Sequence, residues 1–169
     1  MHVCTNPHIP CVHSMYSMDP GLSRKSLELV LEDILSLCRQ TFGSALVSVV
    51  LFGSYAQGVA SPESDIDLLV IVKNLPEGSD KQEPLLDSLE FPILKKYHLC
   101  ASVILTTPEA VLNGVDTDNP LFFGIWTGYS VLFDSGDFFR HCLKTVRQHI
   151  QASKPVFIDR RKRWNLAEI

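Results

Sequence analysis

Residues 51–72, with the sequence LFGSYAQGVASPESDIDLLVIV, decide how this chain folds. The apolar run before Gly53 is typical of a strand, and Gly53 and Ser54 interrupt it at a residue that tolerates positive φ. A second apolar run follows Asp65 and Asp67. The stretch therefore predicts two strands joined through a Gly-Ser turn, with two carboxylates where the second strand begins.

The two carboxylates predict a cation site. Alternate side chains of a strand share a face, so Asp65 and Asp67 are expected to point the same way, while Ile66 points to the opposite face. Their Cα atoms would lie about 6 to 7 Å apart. Like charges on one face repel each other, and Mg²⁺ is the natural counterion because it accepts a few carboxylate oxygens together with substrate phosphates.

The Gly-Ser turn offers the other half of such a site. Backbone N–H groups and a hydroxyl at Gly53 and Ser54 can bind the same phosphates as the cation. The alternative is a plain turn, with Asp65 capping the strand and Asp67 in a surface ion pair. The turn and the carboxylates together favour a phosphate and metal site.

This run resembles the signature of the DNA polymerase beta-type nucleotidyltransferase superfamily, and most closely its minimal, antitoxin-like branch. The signature is a strand, Gly-Ser, a spacer, and Asp-x-Asp followed by apolar strand residues. Gly53, Ser54, Asp65 and Asp67 fill those positions, with ten residues between Ser54 and Asp65. The resemblance implies a polymerase beta-like nucleotidyltransferase fold of class α/β (α+β), in which a small mixed sheet is flanked by helices in a single domain.

The resemblance also implies a reaction. In this family the nucleoside triphosphate lies on the Gly-Ser turn, and two metal ions held by three carboxylates activate an acceptor hydroxyl and stabilise the departing pyrophosphate. Asp65 and Asp67 would then be the catalytic metal ligands, Gly53 and Ser54 would bind the nucleotide, and Mg²⁺ would be the cofactor. The expected enzyme is a nucleotidyltransferase that moves a nucleoside monophosphate, with AMP as the expected group, from a Mg²⁺-bound triphosphate to an acceptor hydroxyl.

The third carboxylate of the family pattern is missing from its expected place. In active relatives it comes from the strand that corresponds to residues 99–106, where Ser102 occupies the expected ligand position. A neutral hydroxyl binds Mg²⁺ weakly and is no carboxylate base at neutral pH. Gln57 likewise stands where the family often has an arginine, which can bind phosphate through two hydrogen bonds.

Three other carboxylates could replace the missing one, namely Glu109, Asp116 and Asp118. Glu109 is also explained as an acid at a helix N-terminus, and the two aspartates are also explained by turn chemistry. Two hypotheses stay open. One is an active transferase whose acceptor hydroxyl belongs to a partner protein, and the other is a catalytically silent binding module that keeps the fold and acts as an antitoxin-type partner.

The expected partners are a nucleoside triphosphate and a small helical protein of the higher eukaryote and prokaryote nucleotide-binding type. Minimal relatives often act on such proteins, or pair with them, in toxin-antitoxin systems. Other relatives modify antibiotics, but 169 residues leave no extra domain for a drug pocket. The net charge of −4 gives no general electrostatic reason to bind nucleic acid.

Composition is that of one ordinary core-forming domain, with 46% hydrophobic and 20% charged residues. No apolar run approaches eighteen residues, which argues against a membrane span. Five cysteines, an odd number without a Cys-x-x-Cys pair, argue against a secreted disulfide framework and for a reducing cytoplasm. Cys38, Cys100 and Cys142 fall in apolar patterns and are predicted to lie in the core.

The predicted organisation is an irregular N-terminal extension over residues 1–20, a nucleotidyltransferase domain over residues 21–153 and a basic tail over residues 154–169. The extension carries zinc-ligand chemistry, but at a spacing that matches no usual zinc site, at Cys4, His8, Cys11 and His13. The tail contains Lys154, four basic residues at 160–163 and Trp164. It could clamp a triphosphate or a nucleic acid, or it could be a solvated tail.

Apolar periodicity and turn residues predict the remaining elements. In chain order these are a helix from Ser26 to Gly43, a helix interrupted at Pro92, a strand over residues 99–106, a short helix from a Thr107 cap to Leu112, a short helix over residues 119–127, a strand over residues 130–133, a long helix capped by Ser135, and a short strand over residues 156–158.

Overall fold

The computed structural model describes residues 23–116, 120–126, 128–153, 156–157 and 164–165. Its α-helices are α1 (Arg24–Phe42), α2 (Gly53–Ala56), α3 (Ser79–Tyr97), α4 (Pro108–Asp116), α5 (Pro120–Trp126) and α6 (Phe138–Ser153). Its strands are β1 (Leu46–Phe52), β2 (Ile66–Val72), β3 (Ala101–Thr106), β4 (Tyr129–Asp134), β5 (Val156–Phe157) and β6 (Trp164–Asn165). The predictions for the N-terminal extension, for Asp118 and for the charges of the basic tail lie outside the described residues.

Four strands form one mixed sheet in the order β3-β2-β1-β4. Strand β1 runs antiparallel to both β2 and β4, whereas β2 and β3 are parallel. Helices cover both faces, so the predicted small mixed sheet flanked by helices is confirmed. Because β1 and β2 lie in the middle and are buried on both faces, their sequences are continuous apolar runs and do not alternate with polar residues.

Each face of the sheet has its own core. Helices α1 and α3 pack on one face, where Val30, Ile34 and Ile93 are almost fully buried. Helices α4, α5 and α6 pack on the other face, where Ile125 and Phe139 have no exposed surface. The sheet is therefore the middle layer of three, and its ends are the places where polar groups can meet solvent.

The predicted core positions of two cysteines are confirmed, and that of the third is wrong. Cys38 and Cys142 are buried, and burial raises the pKa of the Cys38 thiol to about 12. Cys100 is only half-buried, because it precedes β3 at the end of the sheet and does not lie within the strand.

Helix α1 is the amphipathic helix that the spacing of apolar residues predicts. Its N-terminus is capped by Ser23, whose hydroxyl accepts a hydrogen bond from the Ser26 N–H at 3.2 Å. It ends at Gly43, whose N–H donates to the Arg39 carbonyl. Asp33 ties α1 to α3 by accepting hydrogen bonds from the Lys96 ammonium and from the Tyr97 hydroxyl, the latter at 2.6 Å.

Helix α3 continues through Pro92, so the prediction of an interruption there is wrong. Proline removes one backbone N–H and crowds the carbonyl four residues earlier. That carbonyl belongs to Ser88 on the exposed side, where water can satisfy it, and the buried neighbours Leu89 and Ile93 hold the helix against the sheet. Packing therefore outweighs the local preference of the proline.

Helix α4 begins as predicted, with the Thr107 hydroxyl accepting a hydrogen bond from the Ala110 N–H at 3.2 Å. It runs to Asp116 and not to Leu112. Gly114, inside the helix, is a packing residue, since a Cβ there would lie 2.5 Å from Cε2 of Phe122. Close contact between α4 and α5 explains why a helix-weakening residue stands inside α4.

The cap of α6 is Asp134, and the prediction of Ser135 in that role is wrong. The Asp134 carboxylate accepts hydrogen bonds from the N–H groups of Phe139 and Arg140, at 2.9 and 3.2 Å. It also accepts a 2.6 Å hydrogen bond from the hydroxyl of Ser48, which has no exposed surface. One carboxylate thus caps α6 and satisfies a polar side chain inside β1.

Glu90 is a buried acid that lies outside the Gly-Ser and Asp-x-Asp motif. It is 7% exposed on α3, and its Oε1 accepts a 3.0 Å hydrogen bond from the Val103 N–H of the edge strand β3. Unpaired N–H groups of an edge strand invite pairing with another chain, and Glu90 occupies one of them. In the sequence, Glu90 could have been recognised as an acid next to Leu89, on the side of the helix that is buried.

Among the helices that the structure describes, none combines the length and the apolar character that a membrane crossing requires.

We expect replacement of Asp134 by alanine to destabilise the fold by about 2 to 4 kcal/mol, because α6 loses its cap and the buried Ser48 hydroxyl loses its acceptor. The matched control, Ser135→Ala, should change the free energy of unfolding by about 0.5 kcal/mol or less. Urea denaturation of both variants measures the difference. A larger loss for Ser135→Ala than for Asp134→Ala would contradict this description of the cap.

Candidate active site

Gly53 stands against the Asp67 carboxylate at one end of the sheet. It follows the last residue of β1 and has a φ of +69°, a conformation that favours glycine. A Cβ at this position would lie 2.0 Å from Oδ2 of Asp67, so a larger residue cannot stand there while Asp67 keeps its place. The Gly-Ser turn and one carboxylate of the Asp-x-Asp pair therefore form a single cluster.

The turn is held by its own backbone hydrogen bonds. The turn opens the short helix α2, and the N–H groups of Gln57 and Val59 donate to the carbonyls of Gly53 and Ser54, at 3.1 and 3.0 Å. Ser54 is partly exposed. The turn thus presents a hydroxyl to solvent beside Asp67.

A row of four residues crosses the sheet at this end. Asp67 pairs with Phe52 of β1 and with Ser102 of β3, and Phe52 pairs with Tyr129 of β4. Residues paired directly across strands place their side chains on the same face. Ser102 therefore lies beside Asp67 on the face that α4, α5 and α6 cover, which agrees with its expected place next to the metal ligands.

Asp65 lies one residue before β2, since the strand begins at Ile66. The prediction that the strand includes Asp65 is wrong by that one residue. Ile66 is fully buried in the core beneath α1 and α3, which confirms its predicted direction. The Ile66 N–H donates to the Cys100 carbonyl at 2.9 Å, so the chain after Asp65 is fixed beside the start of β3.

Two pKa shifts locate the Asp65 carboxylate within this end of the sheet. Burial, followed by the charge of Asp65, raises the pKa of the Tyr55 hydroxyl. Burial also raises the pKa of the Cys100 thiol, and the charges of Asp65 and Glu90 add to that shift. Both groups are therefore neutral near pH 7, so Cys100 is no nucleophile there and Tyr55 keeps its proton.

The structure separates Glu109 from this cluster. Strand β3 ends at Thr106, which lies about 13 Å along the strand from Ser102. Glu109 comes after that end, beyond Thr107 and Pro108. It is exposed in the first turn of α4, where an acid complements the helix N-terminus. Asp116 ends α4, and its side chain lies outside the described part of the chain.

Gln57 packs against the start of β4. A Cβ on Gly128 would lie 2.3 Å from Cγ of Gln57, so these two residues are in close contact. Gln57 therefore lies next to the segment that leads to Tyr129, whose side chain is 38% exposed.

A cavity of about 390 Å³ lies at the opposite end of the sheet, lined by Val47, Lys73, Pro108, Ser135, Gly136, Phe138 and His141. Val47 and Phe52 are about 17 Å apart along β1, so this cavity does not include the cluster around Asp67. Asp65 and Asp67 are both partly exposed at the other end.

The residues present fit a Mg²⁺ ion that is shared with phosphates. Asp65 and Asp67 supply hard carboxylate oxygens, and the absence of a side chain at Gly53 leaves the Asp67 carboxylate accessible from the turn. Within the described residues, no three His, Cys, Asp or Glu side chains are arranged to form a complete metal site. This donor set suits Mg²⁺, which commonly takes one or two carboxylates and completes its shell with water and substrate.

A solved structure shares the fold. A spectinomycin adenyltransferase of Enterococcus faecialis, crystallised with ATP and spectinomycin, has a TM-score of 0.52 and 16% identity, over 75% of this chain and 65% of that one. A chain from the complex of a tri-AMPylated HEPN toxin with an MNT antitoxin of Shewanella oneidensis has a TM-score of 0.46 and 20% identity, over 75% of this chain and 91% of that one.

Comparison of the sequence with known proteins shows the family to which the chain belongs. The model of the nucleotidyltransferase domain matches residues 31–109, which contain Gly53, Ser54, Asp65, Asp67 and Ser102. A protein of Methanocaldococcus jannaschii named "Putative protein adenylyltransferase" is 37% identical over 148 residues, which are 88% of this chain and 99% of that protein. Identity at this level over nearly the whole of a relative, together with the domain match, means that the chain belongs to the nucleotidyltransferase family and is a nucleotidyltransferase.

Proposed function

We propose that the protein transfers AMP from Mg²⁺-bound ATP to a hydroxyl group of a partner protein. The observation that carries this proposal is the contact between Gly53 and Asp67, because it joins a phosphate-binding turn to a metal-binding carboxylate. Neither feature alone indicates nucleotide transfer, whereas their contact is what a triphosphate bound through a cation requires.

In this proposal each residue has a separate task. The Ser54 hydroxyl and the N–H groups of the turn bind the terminal phosphates, while Asp65 and Asp67 hold the cation. When bound, Mg²⁺ supplies charge neutralisation of the triphosphate and electrostatic stabilisation of the attacking and leaving oxygens. The residues themselves would orient the α-phosphate toward the start of β3, where Ser102 lies and where an acceptor hydroxyl would approach.

Because Ser102 stands in place of a carboxylate, we expect a lower rate of transfer. Its hydroxyl remains protonated at neutral pH, so it cannot take the proton of the acceptor as a carboxylate would. Asp67, directly beside it in the sheet, is the nearest carboxylate in register. We therefore assign proton acceptance to Asp67 or to solvent, and we expect slower transfer than a site with three carboxylates would give.

A protein acceptor is supported by several observations. The relative that matches 88% of the chain is named for adenylyl transfer to protein. The row from Ser102 to Tyr129 ends at a side chain that is 38% exposed, which leaves that end accessible to a large acceptor. We propose a helical protein of toxin-antitoxin type as this partner. Cys38, Cys100 and Cys142 carry thiols and not disulfides, which fits a reducing cytoplasm.

One observation favours a second candidate function, a silent binding module. Ser102 stands where a third metal ligand is expected, and loss of that ligand would leave a fold that binds its partner without transfer. Kinship with a transferase over nearly the whole chain favours the enzyme. The two candidates differ in whether replacement of Asp65 or Asp67 changes the outcome.

The direct test is transfer of label from α-labelled ATP, with Mg²⁺, to the protein itself and to candidate partner proteins. We expect label on a protein acceptor with the wild type and only background label with Asp65→Asn or Asp67→Asn, because each variant removes a carboxylate charge from the cation site. Binding of the partner should persist in both variants. Equal labelling by wild type and variants would contradict the assignment, and absence of label with all four nucleotides would favour the silent module.

A pair of glycine variants isolates the contact with Asp67. Gly53 and Gly58 both have a φ of +69°, so Gly53→Ala and Gly58→Ala should each lose roughly 1 to 2 kcal/mol of stability. Only Gly53→Ala brings a Cβ against Asp67, since nothing lies within 4 Å of a Cβ at Gly58. We expect label transfer to fall roughly a hundredfold for Gly53→Ala and to stay near wild type for Gly58→Ala. Equal loss in both variants would show that stability, and not the contact, limits activity.

A further inference from the structure

The Tyr55 hydroxyl is buried without a hydrogen-bond partner, and no other buried side-chain nitrogen or oxygen of the described residues shares that condition. The residue is 9% exposed and packs in the core beneath α1 and α3. A buried hydroxyl without a partner lowers stability, and phenylalanine would fill the same space without that loss. Packing therefore does not explain why residue 55 is tyrosine and not phenylalanine.

The position of Tyr55 suggests what the hydroxyl serves. It belongs to α2, directly after the Gly-Ser turn, and Asp65 lies close enough for its charge to act on the hydroxyl. A phenol O–H can donate one hydrogen bond. Asp65 can accept one, because a carboxylate that gives one oxygen to a cation retains acceptor capacity on the other.

The two carboxylates lie at different positions relative to β2. Asp67 lies inside β2, paired with strands on both sides and in contact with Gly53. Asp65 lies one residue before the strand begins. A hydrogen bond from Tyr55 would add to the contacts that orient Asp65 toward a cation.

We propose that Tyr55 is a positioning residue, whose hydroxyl donates a hydrogen bond to the Asp65 carboxylate when a divalent cation and a nucleoside triphosphate occupy the site. This inference rests on the proposed function, which makes Asp65 a metal ligand. In the free protein the hydroxyl has no hydrogen-bond partner, so its O–H would be available to a carboxylate that binds a cation. Donors of this kind orient metal ligands, and their loss typically weakens metal binding about tenfold to a hundredfold.

The experiment measures two quantities for Tyr55→Phe. The first is the dissociation constant of Mn²⁺, by calorimetry or by electron paramagnetic resonance, in the presence of α,β-methylene-ATP, which blocks transfer. The second is the midpoint of thermal unfolding without ligand. We expect Mn²⁺ binding to weaken about tenfold to a hundredfold and the unfolding midpoint to stay level or rise. A purely structural hydroxyl would not move these two quantities in opposite directions.

Tyr97→Phe is the matched control. The Tyr97 hydroxyl donates a 2.6 Å hydrogen bond to Asp33, between α1 and α3. Its removal should lower the unfolding midpoint and leave Mn²⁺ affinity at the wild-type value. The two tyrosine variants are therefore expected to show opposite patterns.

Two results would overturn the inference. Mn²⁺ affinity of Tyr55→Phe equal to that of the wild type would show that the hydroxyl does not act on Asp65. A fall in its unfolding midpoint as large as that of Tyr97→Phe would show that the hydroxyl has a structural partner in the free protein. Asp65→Asn distinguishes failure of the inference from failure of the proposed function. If Asp65→Asn also binds Mn²⁺ like the wild type, the assignment of Asp65 as a metal ligand is wrong.

Discussion

The contact between Gly53 and the Asp67 carboxylate is the constraint on which the site depends. Asp67 is held by pairing with both β1 and β3, and α2 begins where β1 ends. The chain must therefore turn directly over a charged group, which requires a positive φ and leaves no room for a Cβ. The same geometry that limits residue 53 to glycine places backbone N–H groups beside a carboxylate, and so allows phosphate and cation to bind together.

The three-layer packing explains why this site lies at an end of the sheet. Strands β1 and β2 are covered on both faces, so charge can be placed only where the strands stop. Where polar groups do enter the layers they are paired, as Ser48 is with Asp134 and Glu90 is with the Val103 N–H. The Tyr55 hydroxyl departs from that pattern, and it does so next to the proposed metal ligands.

Much of the fold could be predicted from sequence because apolar runs, turn glycines and helix periodicity are local signals. The errors arose where a tertiary contact decides the outcome. Packing of Leu89 and Ile93 carries α3 through Pro92, and an acid from β4 caps α6 because it also meets Ser48. The cluster of Gly53, Asp67 and Ser102 was predictable from a motif and a resemblance, whereas Tyr55 was not. No pattern of residue types reveals that a buried hydroxyl will lack a partner.

If the proposed function is correct, one cation and one triphosphate bind together at the Gly-Ser turn and the two aspartates. A crystal structure with Mn²⁺ and α,β-methylene-ATP, with anomalous scattering to locate the metal, would show whether they do. We expect an anomalous peak between the Asp65 and Asp67 carboxylates, with the triphosphate on residues 53 and 54. A peak elsewhere, or a nucleotide in the cavity beside Lys73 and His141, would contradict it.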